Sequence, residues 1–340
     1  MFLKNIFYIK KEEQHILYKF FGISLRIRYK IDYNLYKNFK KNVVAPHTVL
    51  IIEPNGCHYE TVLGYCKYLT DLNYKVELLT SANIENLPIK NDLNIKIWEC
   101  NKSTFDFIFK KVDFSKYYFL LFNSKRVYWN KKNTIDGCDI FDCYKKIPHG
   151  QKENIYVQHH IDFWNDNKKE NQIILANPTS IKELDNCVVN PHYFGNISIT
   201  PKNDKVIKFI TVGELNESRR NSSLLINAVK ELHRRQKYKF EVYIIGHGQL
   251  ENIPKELHQY FKILGRTDFP TMFHAMEEAD YFLPLLDPEC KKHERYLKYG
   301  TSGSFQLIYG FLKPCIIHKA FADINGFTEE NSFIYKDNFR

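Results

Sequence analysis

A cluster of small polar residues precedes an apolar run near the end of the chain, in RYLKYGTSGSFQLIYGFLKPCIIH at residues 295–318. Its centre is Thr301-Ser302-Gly303-Ser304, and Gln306 follows in the next helical turn. Hydroxyl groups and free N–H groups at the start of a helix attract anions, and a glycine lets a ligand approach the backbone. The same residues are also good helix caps. The stretch therefore indicates a helix N-terminus that is suited to binding a phosphate group.

Two other turns in the second half carry glycine or arginine directly after a predicted strand. FITVGELNESRRN places Gly213 at the strand end and Arg219 and Arg220 before the next helix, and IIGHGQL contains Gly246. A guanidinium group forms paired hydrogen bonds with phosphate oxygens. A glycine at the end of a strand is also ordinary turn geometry. Each turn is weak evidence alone, but with the Thr-Ser-Gly-Ser cluster they favour an anionic ligand.

The elements that would position these turns alternate between strand and helix. In the first half, HTVLIIEPNG has the pattern of a buried strand, CHYETVLGYCKYLTDLNY has apolar residues at helical spacing, and KVELLTS is a second strand. Such a unit forms a parallel sheet through a right-handed crossover. Further strands are predicted at NIKIWEC, YYFLLFN, IYVQHH, QIILAN and NCVVNP, and residues 123–153 are predicted to be a long irregular excursion.

A second strand–helix series follows a polar stretch at about residues 195–205, which has the composition of a linker. A length of 340 residues favours about two domains. We therefore expect an α/β protein with two Rossmann-like, doubly wound parallel-sheet domains, at residues 44–200 and 201–340. We expect the two to face each other across a cleft, with ligands at the carboxyl ends of the strands.

Residues 1–43 form a separate basic and aromatic arm, with runs such as KNIFYIKK and YKNFKKN. Within it, FFGISLRIRYKI alternates apolar and basic residues around a glycine, which is typical of a β-hairpin. The same composition suits an anionic membrane surface. Hairpin and lipid contact are both left open, because one segment can provide both.

Composition excludes several classes of protein. The chain has 49 Lys and Arg against 39 Asp and Glu, a net charge of +10, which fits an acidic partner. No aromatic-interleaved nucleic-acid motif accompanies this charge, so no nucleic-acid partner is expected. No stretch approaches the ~20 apolar residues of a membrane span, and no signal peptide is visible, so we expect a cytoplasmic protein. The eight cysteines include no Cys-x-x-Cys pair, so no zinc site or disulfide framework is expected.

Five short motifs occur in a fixed order over residues 206–327: FITVGELNESRRN, IIGHGQL, ILGRTDFPTMF, EEADYFLPL and LIYGFLKPCII. In that order they resemble the C-terminal domain of GT-B glycosyltransferases, most of all those of glycosyltransferase family four. The first half resembles the family more loosely, in EPNGCHYETVLGYCKYLTDLNYKVELLT and IYVQHHIDFW. The resemblance implies transfer of a sugar from a nucleotide-sugar donor to an acceptor, without a cofactor or an obligatory metal.

The resemblance also implies which residues bind the donor. Arg220 matches the basic residue at the donor phosphate, with Arg219 as the alternative, and the loop at 301–304 lies where the diphosphate binds. The implied donor-binding set is Gly213, Arg219, Arg220, Gly246, Arg266, Thr301, Ser302, Gly303, Ser304 and Gln306.

Catalytic candidates come from the first half. His160, with His159 as its alternative, matches the family's histidine near the reacting centre, and His58 is the second candidate. Gly56 and Glu294 are expected to line the cleft. Each histidine has a structural alternative, since it could end a strand or begin a helix with ordinary hydrogen bonds.

The chain departs from the family pattern at its paired glutamates, which would fall near Tyr299 and on Leu307. A retaining mechanism is therefore not implied. The expected function is sugar transfer to a glycan or lipid-linked acceptor in surface polysaccharide or lipopolysaccharide synthesis, at the inner face of a membrane. Two alternatives stay open: a nucleotide-sugar epimerase of similar fold, and a degenerate transferase that acts as a scaffold.

Overall fold

The computed structural model describes the chain except residues 1–6, 12–14, 21–22, 29, 56–58, 82–92, 128–137, 145, 160–170, 176–187, 200–205, 217–218, 249–252, 299 and 337–340. The chain divides into two compact units between Ile173 and Ile174. This division precedes the polar stretch at 195–205 on which the sequence-based boundary rests.

A three-stranded antiparallel sheet begins the chain, in the order β1 (Phe7–Lys11), β2 (His15–Phe20) and β3 (Ile23–Arg28). The predicted hairpin corresponds to β2 and β3, and β1 adds a third strand. Helix α1 (Tyr33–Lys41) follows. It begins at Asp32, whose carboxylate accepts hydrogen bonds from the N–H groups of Asn34 and Leu35.

A seven-stranded parallel sheet is the core of the next part of the chain. Its strands and neighbouring elements are β4 (Thr48–Glu53), α2 (Tyr59–Asp71), β5 (Lys75–Thr80), β6 (Lys96–Glu99), α3 (Lys102–Lys111), β7 (Leu120–Phe122), β8 (Arg126–Val127), β9 (Cys138–Asp139), α4 (Ile140–Cys143), β10 (Ile155–Gln158), β11 (Gln172–Leu175) and β12 (Val188–Val189). The sheet order is β12-β11-β10-β7-β4-β5-β6, and its described pairings are parallel. β8 and β9 pair antiparallel with each other, within the region predicted to be irregular.

The core of the first unit is aromatic. Phe39 of α1 and Phe105 and Phe109 of α3 pack in one cluster with Phe122 of β7. Strand β4 is buried along its whole length, which explains why its sequence is a continuous apolar run rather than an alternating one.

A six-stranded parallel sheet is the core of the second unit. Its strands and helices are β13 (Val206–Val212), α5 (Ser222–Arg235), β14 (Lys239–Ile245), β15 (Phe261–Gly265), α6 (Phe269–Glu278), β16 (Tyr281–Phe282), α7 (Glu294–Lys298), α8 (Gly303–Gly310), β17 (Cys315–His318), α9 (Lys319–Asn325) and β18 (Ser332–Tyr335). Short 3₁₀ helices occupy Lys255–Tyr260 and Lys291–His293.

The strand orders of the two sheets follow one rule. The second sheet is ordered β15-β14-β13-β16-β17-β18, so the winding reverses between β13 and β16. The first sheet reverses between β4 and β7 in the same way. In open α/β sheets ligands bind outside the carboxyl ends of the strands at such a reversal. The predicted α/β class with two doubly wound parallel sheets is confirmed. The two reversals of strand order are the positions where this fold class would bind a ligand.

In the part of the chain that the structure describes, no helix is long and apolar enough to cross a membrane.

Candidate functional site

Two of the motifs singled out in the sequence meet at the winding reversal of the second sheet. One is the turn after β13, which carries Arg220 just before α5, and the other is the start of α8. The Nη2 group of Arg220 donates a hydrogen bond to Ser304 Oγ at 2.9 Å, although the two residues are 84 positions apart. A cation and a helix N-terminus are thereby held side by side.

Arg220 is fixed in place by backbone groups as well. Its Nη2 also donates to the carbonyl of Val212 at 3.1 Å, and its Nη1 donates to the carbonyl of Arg219 at 2.8 Å. Burial lowers the pKa of its guanidinium, and the neighbouring Arg219 lowers it further, against an opposing effect of Tyr296. The Nε–H is buried and has no hydrogen-bond partner in the described part of the chain. A buried cationic donor without an acceptor is costly, and an anionic ligand would supply the acceptor.

The start of α8 shows which of its polar groups are used for capping. Ser302 is the N-cap; its Oγ accepts from the N–H of Ser304 at 3.3 Å, and its carbonyl accepts from the N–H of Phe305 at 2.9 Å. Thr301 Oγ1 is buried without a partner among the described residues. A Cβ placed on Gly303 would meet no atom within 4 Å, so open space adjoins the backbone there. Serine capping is therefore confined to Ser302, and Thr301 and Gly303 stay available to a ligand.

Replacing Gly303 by alanine separates the two interpretations of this helix start. Alanine is favoured over glycine in a helix by up to about 1 kcal/mol, and its methyl group meets no atom, so we expect an unchanged or higher melting temperature without ligand. If a diphosphate lies against the backbone, the methyl group displaces it, and we expect about tenfold weaker binding, or about 1.4 kcal/mol. Thermal unfolding with and without a nucleotide sugar measures both. Equal nucleotide affinity in the two proteins would contradict close approach at Gly303.

His293 is a buried member of this site that the sequence does not reveal, because it lies in the charged run at residues 291–295. Its side chain is 1% exposed, and its Nδ1 accepts a hydrogen bond from the N–H of Asp287 at 2.9 Å. Nδ1 also lies 3.2 Å from the carbonyl oxygen of Asp287, and Nε2 is buried. Burial lowers the pKa of His293; the carbonyls of Asp287 and Arg219 oppose this effect, and the charge of Arg220 adds to it.

This lowered pKa predicts the direction of a pH dependence. A histidine with a pKa below its ordinary value of about 6.5 stabilises the fold above that pH, and the contribution is lost as the pH falls through the folded-state pKa. We expect His293→Gln to unfold with a shallower decrease in stability between about pH 7 and about pH 5 than the wild type. Denaturant titrations at each pH measure the difference. Identical pH slopes for the wild type and the variant would show that the pKa of His293 is the same in the folded and unfolded states.

Packing within the protein explains why Gly213 and Gly246 are glycines. Gly213 has φ +135°, and a Cβ there would lie 2.7 Å from Arg220 Nη2. Gly246 has φ +144°, and a Cβ there would lie 1.8 Å from the carbonyl oxygen of Gly213. A side chain at position 246 would therefore overlap the backbone of the turn at Gly213, and a side chain at position 213 would displace the guanidinium of Arg220. Whether they also contact a ligand stays a prediction.

The side chains of the remaining candidates in the second unit are exposed or have partners other than Arg220 and Ser304. Arg219 is exposed and pairs with Glu214 at 3.6 Å, and Arg266 is exposed just after β15. Glu294 is exposed and pairs with Lys298, which lowers the pKa of its carboxyl. Gln306 is buried, and its amide donates to Asn190 Oδ1 at 3.3 Å and to the carbonyl of Pro191 at 3.2 Å. Gln306 thus ties α8 to the segment after β12.

The winding reversal of the first sheet carries a second polar cluster. Glu53, at the end of β4, is 0% exposed; its carboxylate accepts from the N–H of Asn55 at 2.6 Å, from the side-chain amide of Asn123 and from Ser124 Oγ at 3.3 Å. Thr61 Oγ1 donates to Asn123 Oδ1 at 2.8 Å. Sequence analysis did not identify Glu53 or Asn123, because each follows an apolar strand and resembles an ordinary turn residue.

His159 joins this cluster, since its Nε2 lies 2.6 Å from the carbonyl oxygen of Asn123. A carbonyl oxygen only accepts, so Nε2 carries a proton and the ring is held at the end of β10. The other first-half candidates, Gly56, His58 and His160, lie outside the described residues. Their proposed roles stay predictions.

Comparison with known proteins finds similar structures but no family. No family model and no curated protein matches the chain. Anabaena Alr3699/HepE in complex with UDP and glucose is 13% identical, with a TM-score of 0.48 over 85% of this chain and 86% of that one. WaaG, a glycosyltransferase involved in lipopolysaccharide biosynthesis, is 7% identical, with a TM-score of 0.47 over 86% and 87%. The E. coli heptosyltransferase WaaC with ADP is 10% identical, with a TM-score of 0.45 over 85% and 90%. Similarity of this degree carries no argument about the reaction.

Proposed function

We propose that the protein is a glycosyltransferase that binds a nucleotide-sugar donor at the winding reversal of its second sheet. One observation carries the proposal: the hydrogen bond between Arg220 and Ser304, which holds a cation beside a helix N-terminus. The order of the five sequence motifs supports it independently.

The reaction needs this arrangement because its leaving group is a nucleoside diphosphate. Negative charge grows on the diphosphate as the glycosidic bond breaks, while the sugar becomes cation-like. Preorganised donors at the developing charge are the largest common source of catalysis. Here Arg220 supplies a guanidinium group whose Nε–H lacks an acceptor among the described residues, and the start of α8 supplies the backbone N–H of Gly303 and the Thr301 hydroxyl. No part of this arrangement requires a metal ion held by the protein, and metal independence is part of the proposal.

The acceptor side of the proposal is a glycan or lipid-linked sugar in the synthesis of surface polysaccharide or lipopolysaccharide, at the inner face of a membrane. It is supported by the basic and aromatic composition of residues 1–43. In the first unit the partly exposed His159, at the end of β10, is the side chain that we propose meets an acceptor hydroxyl.

A thermal-shift screen of the purified chain against UDP-, GDP-, ADP- and CMP-sugars tests the proposal. A ligand that binds only the folded state at about 100 times its Kd raises stability by about 2.7 kcal/mol. We expect one nucleotide class to raise the melting temperature. The same donor incubated without acceptor should be slowly hydrolysed or unchanged, whereas conversion to an isomeric nucleotide sugar would establish an epimerase. A folded protein that no nucleotide stabilises would support the scaffold alternative.

A further inference from the structure

One backbone carbonyl group connects two basic side chains in front of α5. The carbonyl of Arg219 accepts a hydrogen bond from Arg220 Nη1 at 2.8 Å, and it also acts as an acceptor toward the ring of His293. Arg220 Nη2 in turn donates to Ser304 Oγ at the start of α8. His293 therefore supports, through one backbone group, the turn that presents Arg220.

The ring of His293 is also held by the turn after β16. Its Nδ1 lies 2.9 Å from the backbone nitrogen of Asp287 and 3.2 Å from the carbonyl oxygen of the same residue. The carboxylate of Asp287 accepts from Asn221 Nδ2 at 2.9 Å and from the N–H of Glu289 at 2.8 Å. Asn221 is the N-cap of α5. Hydrogen bonds thus connect His293 through Asp287 to the start of the helix that follows Arg220.

The surroundings of this ring suit both of its protonation states. A neutral imidazole has one N–H group, whereas an imidazolium has two. The neutral ring can accept from the N–H of Asp287 at Nδ1. The charged ring loses that contact but can donate to two carbonyl groups, those of Asp287 and Arg219. A modest change in the electrostatic surroundings is therefore enough to move the ring from one state to the other.

Two features favour the neutral ring. The side chain is 1% exposed, and burial lowers the pKa of His293; the charge of Arg220 lowers it further. Asp287 has the opposite effect. The charged or titratable residues around the ring are Arg219, Arg220, Asp287 and Tyr296, whose ring centroid lies 6.3 Å from that of His293, with Lys291, Lys292, Glu294 and Arg295 on the segment of His293 itself.

A diphosphate beside Arg220 would reverse this balance. A nearby opposite charge favours the charged form of a titratable group. The diphosphate of a nucleotide sugar carries two negative charges, which exceed the single positive charge of Arg220. The imidazolium then becomes the favoured form of His293, and its two N–H groups hold the backbone on both sides of the ring.

We propose that His293 is a positioning residue of the donor site, which takes up a proton from solvent when a nucleotide-sugar diphosphate binds beside Arg220. The proton adds one positive charge to the site, and the imidazolium fixes the carbonyl groups of Arg219 and Asp287. This inference rests on the proposed function, because it takes donor binding at Arg220 as its starting point. A purely structural histidine would not exchange a proton with solvent on donor binding.

Titration calorimetry of the full chain counts this proton. The probes are UDP-glucose, GDP-mannose and ADP-glucose, which are diphosphate diesters and lack the terminal phosphate that titrates near ~6 in a free nucleoside diphosphate. Heats measured at about pH 6 in MES and in imidazole, whose ionisation enthalpies differ, give the proton uptake, and we expect about half a proton per bound probe. A pKa raised by one unit corresponds to about tenfold in affinity, so binding should strengthen by up to about tenfold from about pH 7.5 to about pH 5.5.

Two substitutions remove the titrating ring and keep different polar atoms. His293→Asn places an amide near the position of Nδ1, where the N–H of Asp287 donates, and His293→Gln reaches the position of Nε2. Both should bind the same probe without proton uptake, and their affinity should change by less than about twofold over the same pH range. His247→Gln is the matched control, because His247 is exposed in the turn after β14, at the same end of the sheet. It should take up as much of a proton as the wild type.

Several outcomes would overturn the proposal. Wild-type protein that binds a probe without taking up a proton would do so and would leave the proposed function standing. Equal uptake in the wild type and in a folded variant at position 293 would do the same, and loss of uptake in His247→Gln would place the proton on His247. If none of the three probes binds folded wild-type protein, the proposed donor site fails, and this inference fails with it. The wild-type measurement remains decisive against the proposal even if both variants at position 293 fail to fold.

Discussion

Arg220→Gln should bind the nucleotide-sugar donor about 10- to 100-fold more weakly than the wild type, because hydrogen bonds to charged groups contribute about 1.5–3 kcal/mol. Glutamine keeps a polar side chain at the turn after β13 but removes the positive charge and the fork of N–H groups. The loss should exceed that of an ordinary surface arginine, since the guanidinium is already oriented by Val212, Arg219 and Ser304. Titration calorimetry with the donor found in the thermal-shift screen measures it.

The adjacent Arg219 offers a control of the same residue type. Its side chain is 54% exposed and pairs with Glu214 at 3.6 Å, so solvent and salt screen its charge. Exposed ion pairs contribute about 0–1 kcal/mol, and we expect Arg219→Gln to lose less than about fivefold in donor affinity. The sequence leaves Arg219 and Arg220 as alternatives, and this pair of variants decides between them. A larger loss at Arg219 would place the phosphate on the exposed side of the turn.

The variant Arg220→Lys tests whether the geometry of the guanidinium group, rather than its charge, is needed to bind the donor. Arg220→Lys keeps the positive charge but cannot donate to Val212, Ser304 and a ligand from one planar group. If it binds the donor as the wild type does, charge alone matters there, and the bond to Ser304 is not part of the site. We expect instead an affinity between those of the wild type and Arg220→Gln.

Strand and helix positions along the second half were predictable from the sequence, because buried parallel strands are continuous apolar runs separated by amphipathic helices. Helix α8 and the strands β13, β14 and β15 lie where the pattern places them, and Ser302 caps α8 as its residue type suggests. Helix α1 was not predicted. It begins within the basic arm, where Lys and Tyr residues obscure its apolar stripe.

The contacts of the site were less predictable, because they depend on how elements distant in sequence are aligned. Nothing in the charged run around His293 indicates burial, yet the turn after β16 folds back so that the N–H of Asp287 meets its ring. Glu53 and Asn123 are 70 positions apart and meet only because β4 and β7 are neighbours in the sheet. Gln306 was expected to contact the donor sugar, but its buried amide is bonded to Asn190 and Pro191.

The first unit should lose about 3–5 kcal/mol of stability in Glu77→Ala, the largest structural effect that we expect, because several buried donors lose one acceptor. Glu77 is 7% exposed on β5. Its carboxylate accepts from the Asn42 amide at 2.9 Å, from Trp98 Nε1 at 2.8 Å and from the Tyr117 hydroxyl at 2.9 Å. Burial, and then the charge of Glu77, raise the pKa of Tyr117, so this hydroxyl remains a donor at neutral pH.

These three donors come from different elements, which is why the loss should be large rather than local. Asn42 ends α1, Trp98 lies on β6 and Tyr117 precedes β7, so one carboxylate joins the helix to the sheet. Glu77→Gln should be intermediate, since its amide keeps one acceptor oxygen but turns an N–H₂ group toward donors. Asp71→Ala is the matched control; it breaks an exposed Lys67–Asp71 pair on α2 and should change stability by no more than about 0.5 kcal/mol. Urea unfolding followed by tryptophan fluorescence measures all three. A Glu77→Ala protein as stable as Asp71→Ala would show that solvent reaches these donors, and that α1 is held to the sheet by its aromatic contacts alone.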